Sequence, residues 1–157
     1  MAKAYINIGS NIGDRLHYID AAVAAIEARM LVTAHRSAVI YSSPWGYDSP
    51  NDFANIGITI HTSLSPETLL RELLDIEHTI GSGAPHRNPD GTYCDRPVDI
   101  DLIAVDNITL HTPHLTLPHP RMHLRPFVLI PMTHLWADWH HPRTNLTPAQ
   151  SLRLITP

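Results

Sequence analysis

A chain of 157 residues with 43 % hydrophobic content can bury one sizeable core, and a single domain over 1–157 is expected. Its net charge of −4 comes without any basic block, which argues against nucleic acid as a partner, and its lone cysteine, Cys94, rules out an intramolecular disulfide framework. No apolar run approaches the roughly 18–20 residues of a membrane span, and the start Met1-Ala2-Lys3-Ala4-Tyr5 lacks a signal-peptide core. A soluble, cytoplasmic, monomeric protein is expected.

Ala4 to Ile8 reads as a buried strand that breaks at Gly9-Ser10-Asn11. Ser10, Asn11 or Asp14 then caps a helix whose apolar stripe runs through Leu16, Ile19, Ala22, Val23 and Ile26. Gly9 and Gly13 match neither the Walker A pattern nor the dinucleotide fingerprint, so this turn is structural. Leu31 to Tyr41 reads as a second strand. The loop Ser42–Asp52 that follows is about twice the usual length, and loops of that size are often functional. Its Trp45 and Tyr47, with Phe53 and Asn55 at its exit, either pin the loop to the core or stack on a flat ligand.

Phe53 to Thr62 continues as a strand with Phe53, Asn55, Gly57 and Thr59 on one face. Ser65-Pro66-Glu67 opens a second helix with apolar positions Leu69, Leu70, Leu73, Leu74, Ile76 and Ile80, closed by Gly81. Glu77 sits at the negative end of that helix dipole, a poor place for a carboxylate unless it is used. Residues 81–95 form a second long loop, a candidate lid, which runs into the stretch with the densest chemistry.

In Arg96-Pro97-Val98-Asp99-Ile100-Asp101-Leu102, apolar and acidic residues alternate with period two, so both carboxylates leave one face of a strand, about 6.5–7 Å apart. A solvated acidic edge is the plain reading. However, aspartate is depleted in strand interiors, two like charges share this face, and Arg96 stands beside them. The pattern points to a pair of Mg²⁺ ions working on a polyphosphate. Beyond the strand, Asp106-Asn107 reads as a hairpin turn with Ile108-Thr109-Leu110 returning. His119 and His123 have zinc-ligand spacing, but Pro118, Pro120 and Pro126 interrupt any helix and no cysteine or carboxylate completes a set. His119, Arg121 and Arg125 are better used as donors to phosphate oxygens. Val128–Leu135 and a Thr147-capped helix to Ile155 read as packing.

Taken in order, Tyr5-Ile6-Asn7-Ile8-Gly9-Ser10-Asn11, Tyr41-Ser42-Ser43-Pro44, Asp52-Phe53-Ala54-Asn55, Arg96 to Leu102, and Leu117-Pro118-His119-Pro120-Arg121 with Arg125 and Phe127 resemble the 6-hydroxymethyl-7,8-dihydropterin pyrophosphokinases of folate biosynthesis. The resemblance spans residue 4 to about 132 and implies an α+β, ferredoxin-like sandwich: a mostly antiparallel sheet with helices packed on it. It implies transfer of pyrophosphate from ATP to the pterin hydroxymethyl group, with two Mg²⁺ and release of AMP. By the family pattern Asp99 and Asp101 hold the metals and Arg96 acts with them in catalysis. Arg96, His119 and Arg125 hold the triphosphate, and Glu77, Leu102 and Thr116 contact the nucleoside. Phe53 and Phe127 sandwich the pterin, Asn55 reads its amide edge, and Ser43, Pro44 and Trp45 line that pocket.

The chain departs from the pattern mainly around ATP. The loop Gly81-Ser82-Gly83-Ala84-Pro85-His86-Arg87 lacks the usual arginines, Tyr93 stands nearest the usual tryptophan, and Leu74, His114 and Pro120 replace a polar residue, an arginine and a tyrosine. Arg87, Tyr93 and Arg121 are the residues available to rebuild that outer shell. Two rival readings use the same residues: a pterin- or nucleotide-binding module without chemistry, and a Mg²⁺-dependent phosphohydrolase.

Overall fold

The computed structural model describes residues 1–44, 47–81, 88–90 and 94–156. Everything is laid against strand β1 (Ala2–Ser10), which has neighbours on both edges and cover on both faces. Its alternation divides the molecule. Ala4, Ile6 and Ile8 enter one hydrophobic core, while Tyr5 enters another on the opposite face. The strand does not break at Gly9 but continues through Ser10, paired with Ala54.

Helix α1 (Arg15–Met30) starts at Asp14, whose carboxylate accepts from the His17 N–H at 3.2 Å. It buries Ile19, Ala22, Val23 and Ile26, whereas Leu16 in its first turn stays 47 % exposed. The helix ends at Leu31, which takes a left-handed conformation with φ 54°.

The single strand expected over Leu31–Tyr41 is two short ones, β2 (His35–Arg36) and β3 (Ile40–Ser42), along the same edge of β4 (Phe53–Thr62). The pairings Arg36↔Ile58 and Ile40↔Asn55 set a span of four residues against a span of three, so one residue is surplus and the ladder bulges. Ser37 fills the gap: its Oγ accepts from the Gly57 N–H at 3.0 Å.

Helix α2 (Pro66–Ile80) is capped by Ser65, has Pro66 in its first turn and ends at Gly81. Leu69, Leu73 and Ile76 are buried beneath the sheet, while Leu74 is 48 % exposed. β5 (Asp99–Val105) pairs with the other edge of β1, with a bulge where Tyr5↔Ala104 gives way to Ile6↔Leu102.

The hairpin expected after Asp106 forms differently. Asp106 turns the chain with φ 46°, and its N–H and carboxylate both bond the Lys3 backbone. The returning segment β6 (Leu110–His111) therefore leaves β5 and pairs with β7 (Thr116–Leu117) in a small separate ribbon. The flank of β5 is met instead by the His119 N–H, which donates to the Ile103 carbonyl at 2.7 Å. After a 3₁₀ turn at Met122–Leu124 come α3 (Pro126–Leu135) and α4 (Pro148–Ile155), the latter with a complete Thr147/Gln150 capping box.

The sheet order β2-β4-β1-β5, antiparallel throughout with α1 and α2 as crossovers, is the split βαβ arrangement of the ferredoxin-like fold. α1 and α2 cover one face. On the other, Val128, Leu129 and Met132 of α3 pack on Tyr5 and Ile103, leaving the polar end of that face, with Asn7, Asn55, Asp99 and Asp101, to line an open cleft. Among the described residues no helix is long and apolar enough to cross a membrane.

Tyr5 explains the glycine in the middle of β4. Its ring lies across Gly57, and its hydroxyl donates to the Val128 carbonyl at 3.1 Å in the interior. A Cβ at Gly57 would stand 2.0 Å from that oxygen. Gly57→Ala is expected to cost about 2–3 kcal/mol through overpacking, lowering the thermal midpoint by roughly 5–10 °C. A midpoint within about 2 °C of the parent would show that Tyr5 moves aside without loss.

Candidate active site

Antiparallel pairing sets the cleft floor as two rows of residues across three strands. Asn55, Gly9 and Asp99 form one row, and Gly57, Asn7 and Asp101 the next. Both aspartates therefore share a face with Asn7 and Asn55, which is the consequence of period-two alternation in β1, β4 and β5. Gly9 has to be small. A Cβ there would sit 3.0 Å from Asn55 Oδ1 and 3.2 Å from a ring carbon of Phe53, so these side chains lean over the bare backbone.

The cleft has a volume of about 460 Å³, and two arginines of similar arrangement stand in it. Arg96 Nη1 lies 3.6 Å from Asp99, and its guanidinium is 5.7 Å from the ring centre of Phe53. Arg125 Nη1 lies 3.8 Å from Asp101, and its guanidinium is 5.7 Å from the ring centre of Phe127. Arg96 comes from the entry to β5 and Arg125 from the residue before α3, so the two pairs approach from different elements. Each cation thus faces a carboxylate on one side and an aromatic ring on the other.

Asp101 carries the strain of this arrangement. Removal from water, with the Asp99 charge next, pushes its carboxyl well above the usual carboxylate range, while Arg125 and Arg96 only partly offset this. A site that holds two carboxylates against their own repulsion is one that a divalent cation relieves. Among the described residues no cluster of three His, Cys, Asp or Glu side chains is placed to hold a metal. A cation on Asp99 and Asp101 would therefore complete its shell with water and substrate oxygens, which is the habit of Mg²⁺ rather than Zn²⁺.

His119 lines the same cleft. Burial, then the charges of Arg125 and Arg121, bring its imidazole down to about 4, so the ring is neutral near pH 7. Its Nδ1 lies 3.1 Å from the Arg121 N–H and accepts from it, which leaves Nε2 as the protonated nitrogen. A second hollow of about 290 Å³ adjoins the first and shares Asp101, His119 and Pro120 with it. Leu102 and Thr116 line this hollow, with Leu74 and His114 also on its wall. Glu77 is in neither space. It lies buried beneath β5 and accepts from the Ile100 N–H at 2.7 Å, between the two aspartates.

Of the other residues singled out by sequence, Ser43 and Arg121 line the cleft and Pro44 is half-buried beside it. Trp45, Arg87 and Tyr93 lie outside the described residues. Two cleft residues had no sequence assignment. Ser42 Oγ accepts from Asn55 Nδ2 at 2.8 Å and so fixes that amide. Asn7, with its amide nitrogen turned inward, donates to the carbonyls of Phe127 and Ile56 at 3.2 Å each and ties α3 to the sheet. A polar residue at an inward position of a buried strand was the available signal for Asn7.

The family model of 7,8-dihydro-6-hydroxymethylpterin-pyrophosphokinase matches residues 5–137. The 2-amino-4-hydroxy-6-hydroxymethyldihydropteridine pyrophosphokinase of Porphyromonas gingivalis is 34 % identical over 143 residues, covering 90 % of this chain and 95 % of the relative. The Bacillus subtilis protein of the same name is 37 % identical over 133 residues, 84 % of this chain and 77 % of the relative. A folic acid synthesis protein of Dictyostelium discoideum is 31 % identical over 143 residues, which are 91 % of this chain but 21 % of that longer protein.

The buried Glu77 makes stability depend on pH. Desolvation, partly offset by the Ile100 N–H and reinforced by the charges of Asp99 and Asp101, raises its carboxyl from 4.5 to about 8. The folded state then binds this proton more tightly than the unfolded state, so the associated stability is complete below about 4.5 and is lost as pH rises through about 8. Asp101 acts with the same sign. The ligand-free protein is expected to lose on the order of a few kcal/mol across that window, and Glu77→Gln to flatten the slope. A parallel pH profile for parent and variant, followed by chemical denaturation, would contradict this assignment.

Proposed function

The chain belongs to the 6-hydroxymethyl-7,8-dihydropterin pyrophosphokinase family, and from that premise we propose how its cleft transfers pyrophosphate from ATP to 6-hydroxymethyl-7,8-dihydropterin, releasing AMP, in folate biosynthesis. The observation that carries the reading is the pair of arginines, each set between a carboxylate and a phenyl ring. A flat heterocycle between Phe53 and Phe127 and a polyphosphate at Asp99 and Asp101 would meet where those guanidinium groups stand. The aromatic pair is what a hydrolase acting through water would not need.

In this arrangement the rings of Phe53 and Phe127 stack on the pterin from two elements. Asn55, its amide fixed by Ser42, offers Oδ1 to the N–H groups of the pterin edge. The adjoining hollow, with Leu102 and Thr116, takes the nucleoside, and the phosphates then run past His119 toward the aspartates. Bound at Asp99 and Asp101, two Mg²⁺ would neutralise the triphosphate and support the charge that develops on its oxygens.

The hydroxymethyl oxygen of the pterin attacks the β-phosphorus. The bond between that phosphorus and the oxygen bridging to the α-phosphate breaks, AMP leaves, and the hydroxyl proton passes to solvent. Arg96 and Arg125 are already held in the cleft and need not reorganise as charge moves, which is the larger part of what a protein contributes to such a transfer. His119 donates through Nε2 as a neutral group, adding a hydrogen bond without a further positive charge.

AMP formation from ATP that requires the pterin tests the reading. ATP turnover equally fast without pterin would favour a hydrolase, and binding without AMP a sensor. Within a positive assay, Asp99→Ala and Asp101→Ala are each expected to lower turnover by at least about 10³-fold at saturating Mg²⁺ while keeping or raising apo stability, because like-charge repulsion is relieved. Phe53→Ala and Phe127→Ala are expected to weaken pterin binding by about 1–3 kcal/mol and to leave ATP affinity nearly unchanged. Calorimetric titration of each ligand separates the two effects.

A further inference from the structure

Asp95 is adjacent to Arg96 but is not among the residues that line the cleft, and its carboxylate gathers hydrogen bonds from two other parts of the chain. Oδ1 accepts from Asn11 Nδ2 at 2.8 Å and from the Tyr47 hydroxyl at 3.1 Å. Oδ2 accepts from Ser49 Oγ at 3.0 Å and from Asn51 Nδ2 at 2.7 Å. Three of these donors belong to the loop whose start, Ser42 and Ser43, lines the cleft and whose end is Phe53. The fourth, Asn11, follows β1 and also grips Arg96 itself: Asn11 Oδ1 accepts from the Arg96 N–H at 2.8 Å, and the Asn11 N–H donates to the Arg96 carbonyl at 3.2 Å.

We propose that Asp95 is a positioning residue that sets the pterin-side loop and the Arg96 guanidinium as one unit, through Tyr47, Ser49 and Asn51 on one side and Asn11 on the other. The inference rests on the pterin pyrophosphokinase reading and deepens it. A carboxylate is suited to the task because it is acceptor-only on both oxygens and takes all four donors at once. An amide of the same shape would place an NH₂ against at least one N–H or O–H donor, so Asp95→Asn breaks the node with little change of volume. The consequence is that stacking on Phe53 and the stance of Arg96 are tuned together.

Steady-state kinetics and native amide exchange of Asp95→Asn test this, with Asp95→Ala as a second variant should the first not fold. The expected result is a KM for pterin raised about tenfold together with a kcat lowered about tenfold, with ATP dissociation within about twofold of the parent. Exchange is expected to quicken at residues 47–52 and at the Arg96 amide together, with the strands unchanged. In an Arg96→Lys background the kcat effect of Asp95→Asn should largely vanish, because residues acting through one another are non-additive. Kinetic constants within about twofold of the parent, or an undiminished kcat effect in that background, would overturn the proposal. Should the parent itself form no AMP, the functional reading fails, and exchange alone decides the coupling: faster exchange at both segments supports it, while a change confined to the loop overturns it.

Discussion

Two carboxylates two residues apart on one face of a strand repel each other, and the rest of the cleft is arranged around that repulsion. Asp99 and Asp101 are held in place by backbone pairing to β1, which cannot yield without losing the sheet. Burial and the Asp99 charge disfavour the ionised form of Asp101. Two guanidinium groups stand at 3.6 and 3.8 Å, too far for close ion-pair hydrogen bonds but near enough to share the field. Beneath the strand, Glu77 holds the Ile100 N–H between the two aspartates and adds a third acidic group to the same region. Stability is given up here, where the proposed reading has a divalent cation and an anionic substrate complete the site.

The sheet makes this possible by being covered unevenly. α3 packs on Tyr5 and Ile103, and Gly57 lets the Tyr5 ring lie flat enough for Val128 to close over it. Farther along the same strands the residues on this face are Asn7, Asn55 and the aspartates, which line the cleft. Asn7 marks the border, since its amide ties the Phe127 carbonyl to the sheet and so sets one wall of the cleft. Packing and chemistry thus occupy successive rows of one sheet face.

Much of this was legible from sequence because it depends on local rules. The buried strand β1, the period-two alternation of β4 and β5, the Ser65-Pro66 start and Gly81 stop of α2, and the common face of Asp99 and Asp101 follow from side-chain geometry within a few residues. The misses depend on distant partners. The strand expected over Leu31–Tyr41 is interrupted because β4 offers one residue too few, and Ser37 bridges the mismatch. The turn at Asp106 is bound by the Lys3 backbone, so its return cannot pair with β5. Leu74 fits the apolar spacing of α2 yet faces the hollow beside Asp101. Asp95 looked like the end of a loop, since its meaning lies in side chains 44 to 84 positions away.

The claim that Asp99 and Asp101 share a pair of divalent cations at the head of the pterin pocket is open to one direct measurement. Mn²⁺ can replace Mg²⁺, and electron paramagnetic resonance distinguishes neighbouring ions from isolated ones. With a non-transferable ATP analogue and the pterin bound, the parent is expected to show a spin-coupled Mn²⁺ pair, and Asp99→Ala or Asp101→Ala to lose the coupling. An isolated Mn²⁺ signal in the parent, or coupling that survives both substitutions, would contradict it.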